Sequence, residues 1–251
     1  MKKPLFYNNI IALNTEAHRE LRLSTPPDPL GFARDANLIP ALVDEFAMAL
    51  GDLAVAFLPG AEFATPVFVA GLHPGTNVFI SDDGRWDGRY APAYLRRYPF
   101  ILAEVPDGDP VLCVDESYAG LSNDEGTRFF NEKGEAEEPL KTALQLAESY
   151  RAAAARTDEF AKKLKALDVL TSVSLDATTD TGEKTSIHGL LVVNEEAVNG
   201  LSGEQLAELN ADGFLKPIFA HLMSLSALSR LNPSRSGGDE AVTAKNKVEK
   251  S

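Results

Sequence analysis

The chain of 251 residues carries 37 acidic residues against 24 Lys and Arg, which gives a formal net charge of −13 at pH 7. This balance excludes a general nucleic-acid or anionic-membrane surface, because both require clustered positive charge. A hydrophobic fraction of 44% is typical of a globular protein, and a single cysteine excludes an internal disulfide.

The first 36 residues are expected to be irregular, because their prolines prevent a long helix and favour extended backbone. The N-terminal apolar pieces are short and are interrupted by Asn8, Asn9 and Asn14, so we expect no secretory signal. No run of 18 apolar residues occurs in the chain. The sequence therefore predicts a soluble, cytoplasmic protein without membrane insertion.

The region that follows has helical spacing. Val43, Phe46, Ala47 and Leu50 follow the i, i+3, i+4, i+7 pattern of one helix face. A proline precedes this run and a glycine follows it, which suits the start and the end of a helix. The pattern predicts a helix over residues 40–50.

Short apolar runs rich in Val, Ile and Phe fill residues 53–116, which is typical of strands. The connections HPGTN and PDGDP contain the Gly, Pro and Asp of tight turns. Connections this short favour antiparallel pairing, because a parallel crossover needs a dozen or more residues. We therefore predict a mostly antiparallel sheet. Its strands are expected at LAVAF, PVFVAGL, NVFI, PFILAEV and VLCVD.

The next region is predicted to be mainly helical. Apolar residues recur every three or four positions over 139–170, which predicts a long helix, either continuous or broken near Thr157. Residues 176–186 are polar and turn-rich, and they are expected to form a surface loop. Residues 187–194 have the composition of a further strand.

The predicted fold class is α+β, with a mostly antiparallel sheet in the N-terminal half packed by long helices from the C-terminal half. Ser202 and Gln205 have the spacing of a capping box, and residues 215–231 are predicted to form a largely buried helix. No linker or repeat divides residues 1–231, which we interpret as a single domain. Residues 232–251 contain almost no large apolar residue and are expected to be a disordered tail.

Standard catalytic and metal-binding signatures are absent from the sequence. The four histidines, at positions 18, 73, 188 and 221, are far apart in sequence. We therefore predict no metal and no cofactor. Cys113 lies in the apolar run VLCVD and is expected to be a buried core residue rather than a nucleophile.

Residues 82–100, DDGRWDGRYAPAYLRRYPF, contain the only tryptophan, four arginines and three tyrosines. Arginine beside aromatic side chains suits recognition of a carboxylate, a phosphate or a peptide group. Alternatively, the aromatic residues pack a loop onto the sheet while Arg96 and Arg97 pair with carboxylates such as Asp115 and Glu116. On an extended segment the two adjacent arginines would point in opposite directions and differ in role. The candidate binding residues of this segment are Trp86, Tyr90, Tyr94, Arg96 and Arg97.

Asp115 and Glu116 directly follow a predicted strand and are also candidate ligand- or partner-binding residues. Paired carboxylates perform general acid–base chemistry when burial separates their pKa values. Adjacent strand residues point to opposite faces, so we do not expect these two to share one site. The sequence assigns no catalytic residue.

The segment DGRWDGRYAPAYLRRYPF, residues 83–100, resembles the hallmark of the SapC family, bacterial proteins named from a surface-array gene cluster. GLHPGTNVFI, VLCVDE, GLLVVNEE and GFLKPIFAHLMSLSALSRL extend the resemblance to about residues 8–231. The resemblance implies a link to surface proteins or their export, without an assigned reaction. A peptide-importer permease of the same name is a different protein, because it spans the membrane.

Three functions are compatible with these patterns, and we favour the first. It is an accessory or binding protein that acts on a protein or peptide partner in surface or export physiology. The second is an enzyme of unrecognised type that uses Asp115 or Glu116 with His73 or His188, and an arginine to hold an anionic small molecule or peptide. The third is a structural subunit whose buried terminal helix packs against a copy of itself, which would make a homo-oligomer.

Overall fold

The computed structural model describes residues 3–106, 108–178, 184–231 and 243–246. The strands in chain order are β1 (Ile10–Ala12), β2 (Arg22–Leu23), β3 (Leu38–Pro40), β4 (Ala54–Leu58), β5 (Thr65–Val69), β6 (Phe100–Ala103), β7 (Val111–Asp115), β8 (Leu121–Ser122), β9 (Thr127–Arg128), β10 (Leu170–Thr178), β11 (Lys184–Val193) and β12 (Thr243–Asn246). The α-helices are α1 (Ala93–Arg96), α2 (Glu138–Ala166), α3 (Glu195–Asn199), α4 (Gly203–Ala211) and α5 (Leu215–Ser224).

The predicted α+β class is confirmed. All pairings between these strands are antiparallel, and most of the strands precede residue 130. The long helix α2 and the helices that follow it lie in the C-terminal half. Among the described residues, every helix is too short or too polar to cross a lipid bilayer.

The chain groups into two compact units, and each is assembled from separate segments. Unit 1 consists of residues 1–33, 80–86 and 93–152, and unit 2 of residues 34–79, 87–92 and 153–251. Because the segments of the two units alternate along the chain, the sequence shows no linker between them. A single domain over residues 1–231 stays a prediction.

Unit 1 contains two small sheets, in the strand orders β1-β7-β6 and β8-β2-β9. Strands β6 and β7 form the predicted hairpin, with Phe100 opposite Val114. Leu140 and Ala143, three residues apart on α2, present one helix face to the core of this unit. Cys113 on β7 is buried as predicted, and burial raises the pKa of its thiol. The core cluster consists of Phe100, Val114, Phe129, Phe130, Leu140 and Ala143.

Unit 2 contains one sheet in the strand order β12-β10-β11-β4-β5-β3. Its core is aromatic: the ring centroid of Phe46 lies 6.4 Å from that of Phe57 and 6.0 Å from that of Phe160, both edge to face. Helix α5 packs against β4 and β11. His221 of α5 is fully buried, and its Nε2 accepts a hydrogen bond from the Val193 N–H at 3.0 Å. Burial lowers the His221 pKa to about 3, so this ring is neutral.

The predicted helix over residues 40–50 is wrong. Pro40 ends β3, and only Val43–Glu45 form a short 3-10 helix before a series of turns. The Glu45 carboxylate accepts from the Leu42 N–H, and Thr157 Oγ1 accepts from the Val43 N–H, both at 2.9 Å. Because side chains satisfy these backbone groups, Val43 and Phe46 are buried without a regular helix.

Other boundaries differ from the predicted ones. NVFI forms no strand, and its Ile80 makes only an isolated bridge with Trp86. The predicted loop over 176–186 is too long, because β10 extends to Thr178 and β11 begins at Lys184; residues 179–183 lie outside the described ranges. A sequence pattern underestimates these strands because backbone pairing extends a hairpin through polar residues.

The continuous helix and the capping box agree with the sequence. Helix α2 runs unbroken through Thr157, and Ser202 caps α4 with the reciprocal Gln205 contact. The predicted helix over 215–231 is α-helical as far as Ser224 and a 3-10 helix from Leu225 to Leu231. Of the tail, only Thr243–Asn246 are described, and they pair with β10, so disorder elsewhere in the tail stays a prediction.

Candidate functional site

A cavity of about 590 Å³ lies in unit 1. Its volume falls within the range of about 300–1,000 Å³ that is typical of small-molecule sites. The wall combines the end of β2, the segment after α1, and the first turns of α2. It carries three charged side chains and several hydroxyl groups, including Arg96, Arg97, Glu138, Tyr98, Tyr118 and Thr142.

Arg97 is the buried charge of this wall, with 9% of the residue exposed. Its Cζ lies 3.9 Å from the ring centroid of Tyr150, 4.3 Å from that of Tyr94 and 5.8 Å from that of Tyr7. The Tyr94 and Tyr150 centroids are 6.1 Å apart, so the two rings approach Cζ from directions close to a right angle. Aromatic faces attract a cation and hold the guanidinium in position.

The Arg97 charge has no counter-ion among the residues that the structure describes. There Arg97 forms no ion pair, and its Nε has no hydrogen-bond partner. Buried charges are normally paired and hydrogen-bonded, because desolvation is costly. An anion in the cavity would supply the missing negative charge.

The local backbone gives the two adjacent arginines different environments. The single turn of α1 ends at Arg96, and the Arg97 N–H donates to the Ala93 carbonyl oxygen at 3.0 Å. The segment is therefore helical at this point, and the assumption of an extended segment is wrong. Arg96 is exposed while Arg97 is buried, although both line the cavity.

Tyr98 contributes a neutral hydroxyl group to the cavity wall. Its hydroxyl donates to Asp115 Oδ2 at 3.3 Å. Burial, followed by the negative charge of Asp115, raises the pKa of Tyr98 to about 12. At neutral pH this side chain is therefore protonated, and it adds no charge to the cavity.

Asp115 is fully buried and has structural partners. Its carboxylate accepts hydrogen bonds from the N–H groups of Asn8 and Asn9, at 2.7 and 3.0 Å, and from the Ser117 hydroxyl at 2.7 Å. Burial by itself raises the pKa of Asp115, but these hydrogen bonds outweigh it and hold the pKa below its ordinary value. Asp115 thus fixes β7 and positions Tyr98.

The predicted ion pairs of the arginines with Asp115 and Glu116 are wrong. Asp115 is satisfied by backbone and hydroxyl groups, and Glu116 accepts from the side-chain amide of Asn9 at 2.8 Å. Asp115 lies inside unit 1 and Glu116 is exposed, so the two carboxylates do not meet in one cleft. Neither lines the cavity.

Trp86 and Tyr90 do not line the cavity either. Trp86 belongs to unit 1, where its backbone bridges to Ile80. Tyr90 belongs to unit 2, and its hydroxyl donates to Glu45 Oε1 at 2.7 Å. The arginine–aromatic segment thus supplies residues to both units, and only its last part contributes to this cavity.

Unit 2 contains a buried negative charge, and unlike Arg97 it is fully paired. Asp52 is 2% exposed and pairs with Arg89 Nε at 3.2 Å and with Arg230 Nη1 at 2.6 Å. The N–H groups of Arg89 and Tyr90 also donate to it, at 2.5 and 3.2 Å. Burial raises the pKa of Asp52, but these donors outweigh it and lower the pKa overall. This carboxylate is saturated and has a structural role.

The sequence did not identify the residues around the Arg97 guanidinium or those of the cavity wall on α2. Tyr7 and Tyr150 contact the Arg97 guanidinium, while Glu138 and Thr142 form the wall on α2. No local motif marks them, because they lie far from Arg97 in sequence. One hint was available: Tyr150 is a tyrosine in the apolar stripe of the predicted helix, where a hydroxyl needs a partner.

The side chains of this wall limit the chemistry that the cavity can offer. Within the described ranges the lining includes neither histidine nor cysteine, and Glu138 is its carboxylate. In the same ranges no group of three or more His, Cys, Asp or Glu side chains is arranged to hold a metal ion. Arginine beside neutral hydroxyl groups is chemistry that suits an anion.

Comparison with known proteins identifies a family. The family model described as SapC matches residues 13–231, which covers most of the chain and segments of both units. No curated protein matches the chain, and no solved structure matches it.

Proposed function

The chain belongs to the SapC family, and from this premise we propose that it is an accessory binding protein that takes up an anionic group of a peptide or small molecule in the unit 1 cavity. The observation that carries this proposal is the buried Arg97 guanidinium, which lines the cavity and has no ion-pair partner within the described residues. The aromatic residues hold the cation in advance, so an anionic ligand pays little to organise its site.

The wider role is part of the same proposal. The family name supports a place in bacterial surface or export physiology. A net charge of −13 argues against nucleic acid as a partner, and the absence of a spanning helix among the described residues supports a cytoplasmic location.

A thermal-shift screen with carboxylate, phosphate and sulfonate fragments tests the binding function. We expect at least one anionic fragment to raise the melting temperature by about 5–10 °C when its concentration is a hundred times its Kd. In Thr142→Trp the new ring fills the cavity from an exposed position on α2, and the stabilisation should disappear. Gln145→Trp is the matched control, because Gln145 is exposed on the same helix and does not line the cavity.

Two outcomes would contradict the proposal. If no anionic fragment stabilises the wild-type protein, or if Thr142→Trp is stabilised as much as the control, the cavity is not an anion site. If mass spectrometry shows that a bound fragment is chemically converted, the alternative of an enzyme acting on an anionic substrate replaces the binding function.

A further inference from the structure

The buried charge of the cavity wall matches an anion with a single charge. Arg97 has no ion-pair partner within the described residues, Glu138 is exposed and pairs with Lys141, and Tyr98 is neutral. A carboxylate balances the one charge of Arg97. A phosphate monoester carries about −1.5 to −2 charges at pH 7 and would be repelled by Glu138.

The start of α2 lacks the usual features of a phosphate site. Phosphates commonly bind to free N–H groups at a helix N-terminus. Here the first residue of the helix is the acidic Glu138, and the next is Pro139, which has no N–H. The N–H groups of Leu140 and Lys141 already donate to the Glu137 carbonyl oxygen, at 3.1 and 3.0 Å. This end of the helix therefore presents an acceptor to the cavity rather than an anion-binding cradle.

The other residues of the wall indicate which further groups of a ligand the cavity could contact. Leu23, Pro99, Phe100 and Leu146 give the cavity an apolar surface. Glu138 has only a weak surface contact with Lys141, at 3.5 Å, so its carboxylate is available to accept from an N–H of a ligand.

We propose that the cavity recognises an N-acylated α-amino carboxylate with an apolar side chain, the chemistry that the C-terminus of an apolar-ended peptide also presents. In this arrangement Arg97 binds the carboxylate, Glu138 accepts the amide N–H, and the apolar wall receives the side chain. The proposal rests on the proposed function, because it specifies the anion that the same cavity binds.

Isothermal titration calorimetry with four matched probes tests this assignment. N-acetyl-leucine should bind more tightly than N-acetyl-leucinamide, which lacks the charge, and than 4-methylpentanoate, which lacks the N–H. Isoamyl phosphate also lacks the N–H and carries a phosphate in place of the carboxylate, so it should bind more weakly than 4-methylpentanoate. A pentapeptide ending in leucine then separates the two sources of this chemistry. Tighter binding than N-acetyl-leucine indicates a peptide terminus, and weaker binding indicates a free acylated amino acid.

Variants connect the affinities to the named residues. Arg97→Lys keeps the charge but loses the planar fork, and it should weaken N-acetyl-leucine binding about tenfold to a hundredfold. Glu138→Gln removes the like charge and should strengthen isoamyl phosphate binding. If Arg97→Lys does not fold, Thr142→Trp against Gln145→Trp supplies the same comparison.

The results distinguish the two proposals. If isoamyl phosphate or 4-methylpentanoate binds as tightly as N-acetyl-leucine, the assignment of the ligand is overturned while the binding function stands. Unchanged N-acetyl-leucine affinity in both Arg97→Lys and Thr142→Trp also overturns the assignment. If no anionic probe binds to the wild-type protein, both proposals fail.

Discussion

Asp52 in unit 2 and Arg97 in unit 1 are both buried charges, and their surroundings differ in kind. Asp52 accepts two backbone N–H groups and pairs with two arginines. Arg97 is surrounded by tyrosine rings and, within the described residues, has no counter-ion. The first arrangement is complete without a ligand, whereas an anion would balance the second. The surroundings of a buried charge, rather than its burial, thus distinguish a satisfied charge from one without a counter-ion.

The largest effect is expected from Asp52→Asn. This change removes a carboxylate from several donors at once and should lower the free energy of unfolding by about 1.5–3 kcal/mol. Urea denaturation measures the loss. Asp44→Asn is the matched control, because Asp44 pairs with Arg156 at the surface of the same unit, and it should cost less than about 1 kcal/mol. Equal losses in the two variants would show that Asp52 is not a structural charge.

The difference in stability between the wild-type protein and Asp52→Asn should depend on pH. The Asp52 pKa is lowered from its ordinary value of 3.8 in the folded state, so its contribution to stability is fully present above that value. The contribution is lost as the pH falls through the lower pKa of the folded state, because the protonated carboxyl then resembles an asparagine. The stability difference between wild type and Asp52→Asn should therefore be constant near neutral pH and shrink below about pH 4.

A smaller effect is expected from Arg97→Met. The variant loses the attraction of the tyrosine rings, which is about 1–2 kcal/mol, but it also removes a buried charge without a counter-ion. These terms oppose each other, so the free energy of unfolding should change by less than about 1 kcal/mol while binding of anionic fragments is lost. A destabilisation as large as that of Asp52→Asn would instead make Arg97 an architectural residue.

The contrast between these two charges explains which features of the site could be predicted from the sequence. The local density of arginine and aromatic residues identifies Arg96 and Arg97. Short apolar runs and the composition of the turn between them predict the hairpin that contains Cys113. Tyr7 and Tyr150 could not be identified in this way, because their contact with Arg97 exists only after distant segments fold together. The hydrogen bonds of Asp115 could not be predicted for the same reason: its partners, Asn8 and Asn9, lie on a distant segment of the chain. Local composition identifies a charge, but only the tertiary structure determines whether that charge is satisfied.

The smallest effect is expected from Arg96→Gln, which tests whether burial separates two arginines in one cavity. Arg96 is exposed, and surface substitutions usually change stability by less than about 0.5 kcal/mol, so thermal denaturation should be almost unchanged. Its charge still acts on an anion in the cavity, but through solvent that salt can screen. We therefore expect a severalfold loss of N-acetyl-leucine affinity at about 0.1 M salt that largely disappears at about 1 M, where the Debye length falls from roughly 10 to 3 Å. The loss in Arg97→Lys should persist at both salt concentrations, because that contact is buried and depends on geometry. Titration calorimetry of both variants at the two salt concentrations provides the measurement. If the Arg96 loss survives high salt, or if the Arg97 loss does not, the buried arginine is not the residue that defines this site.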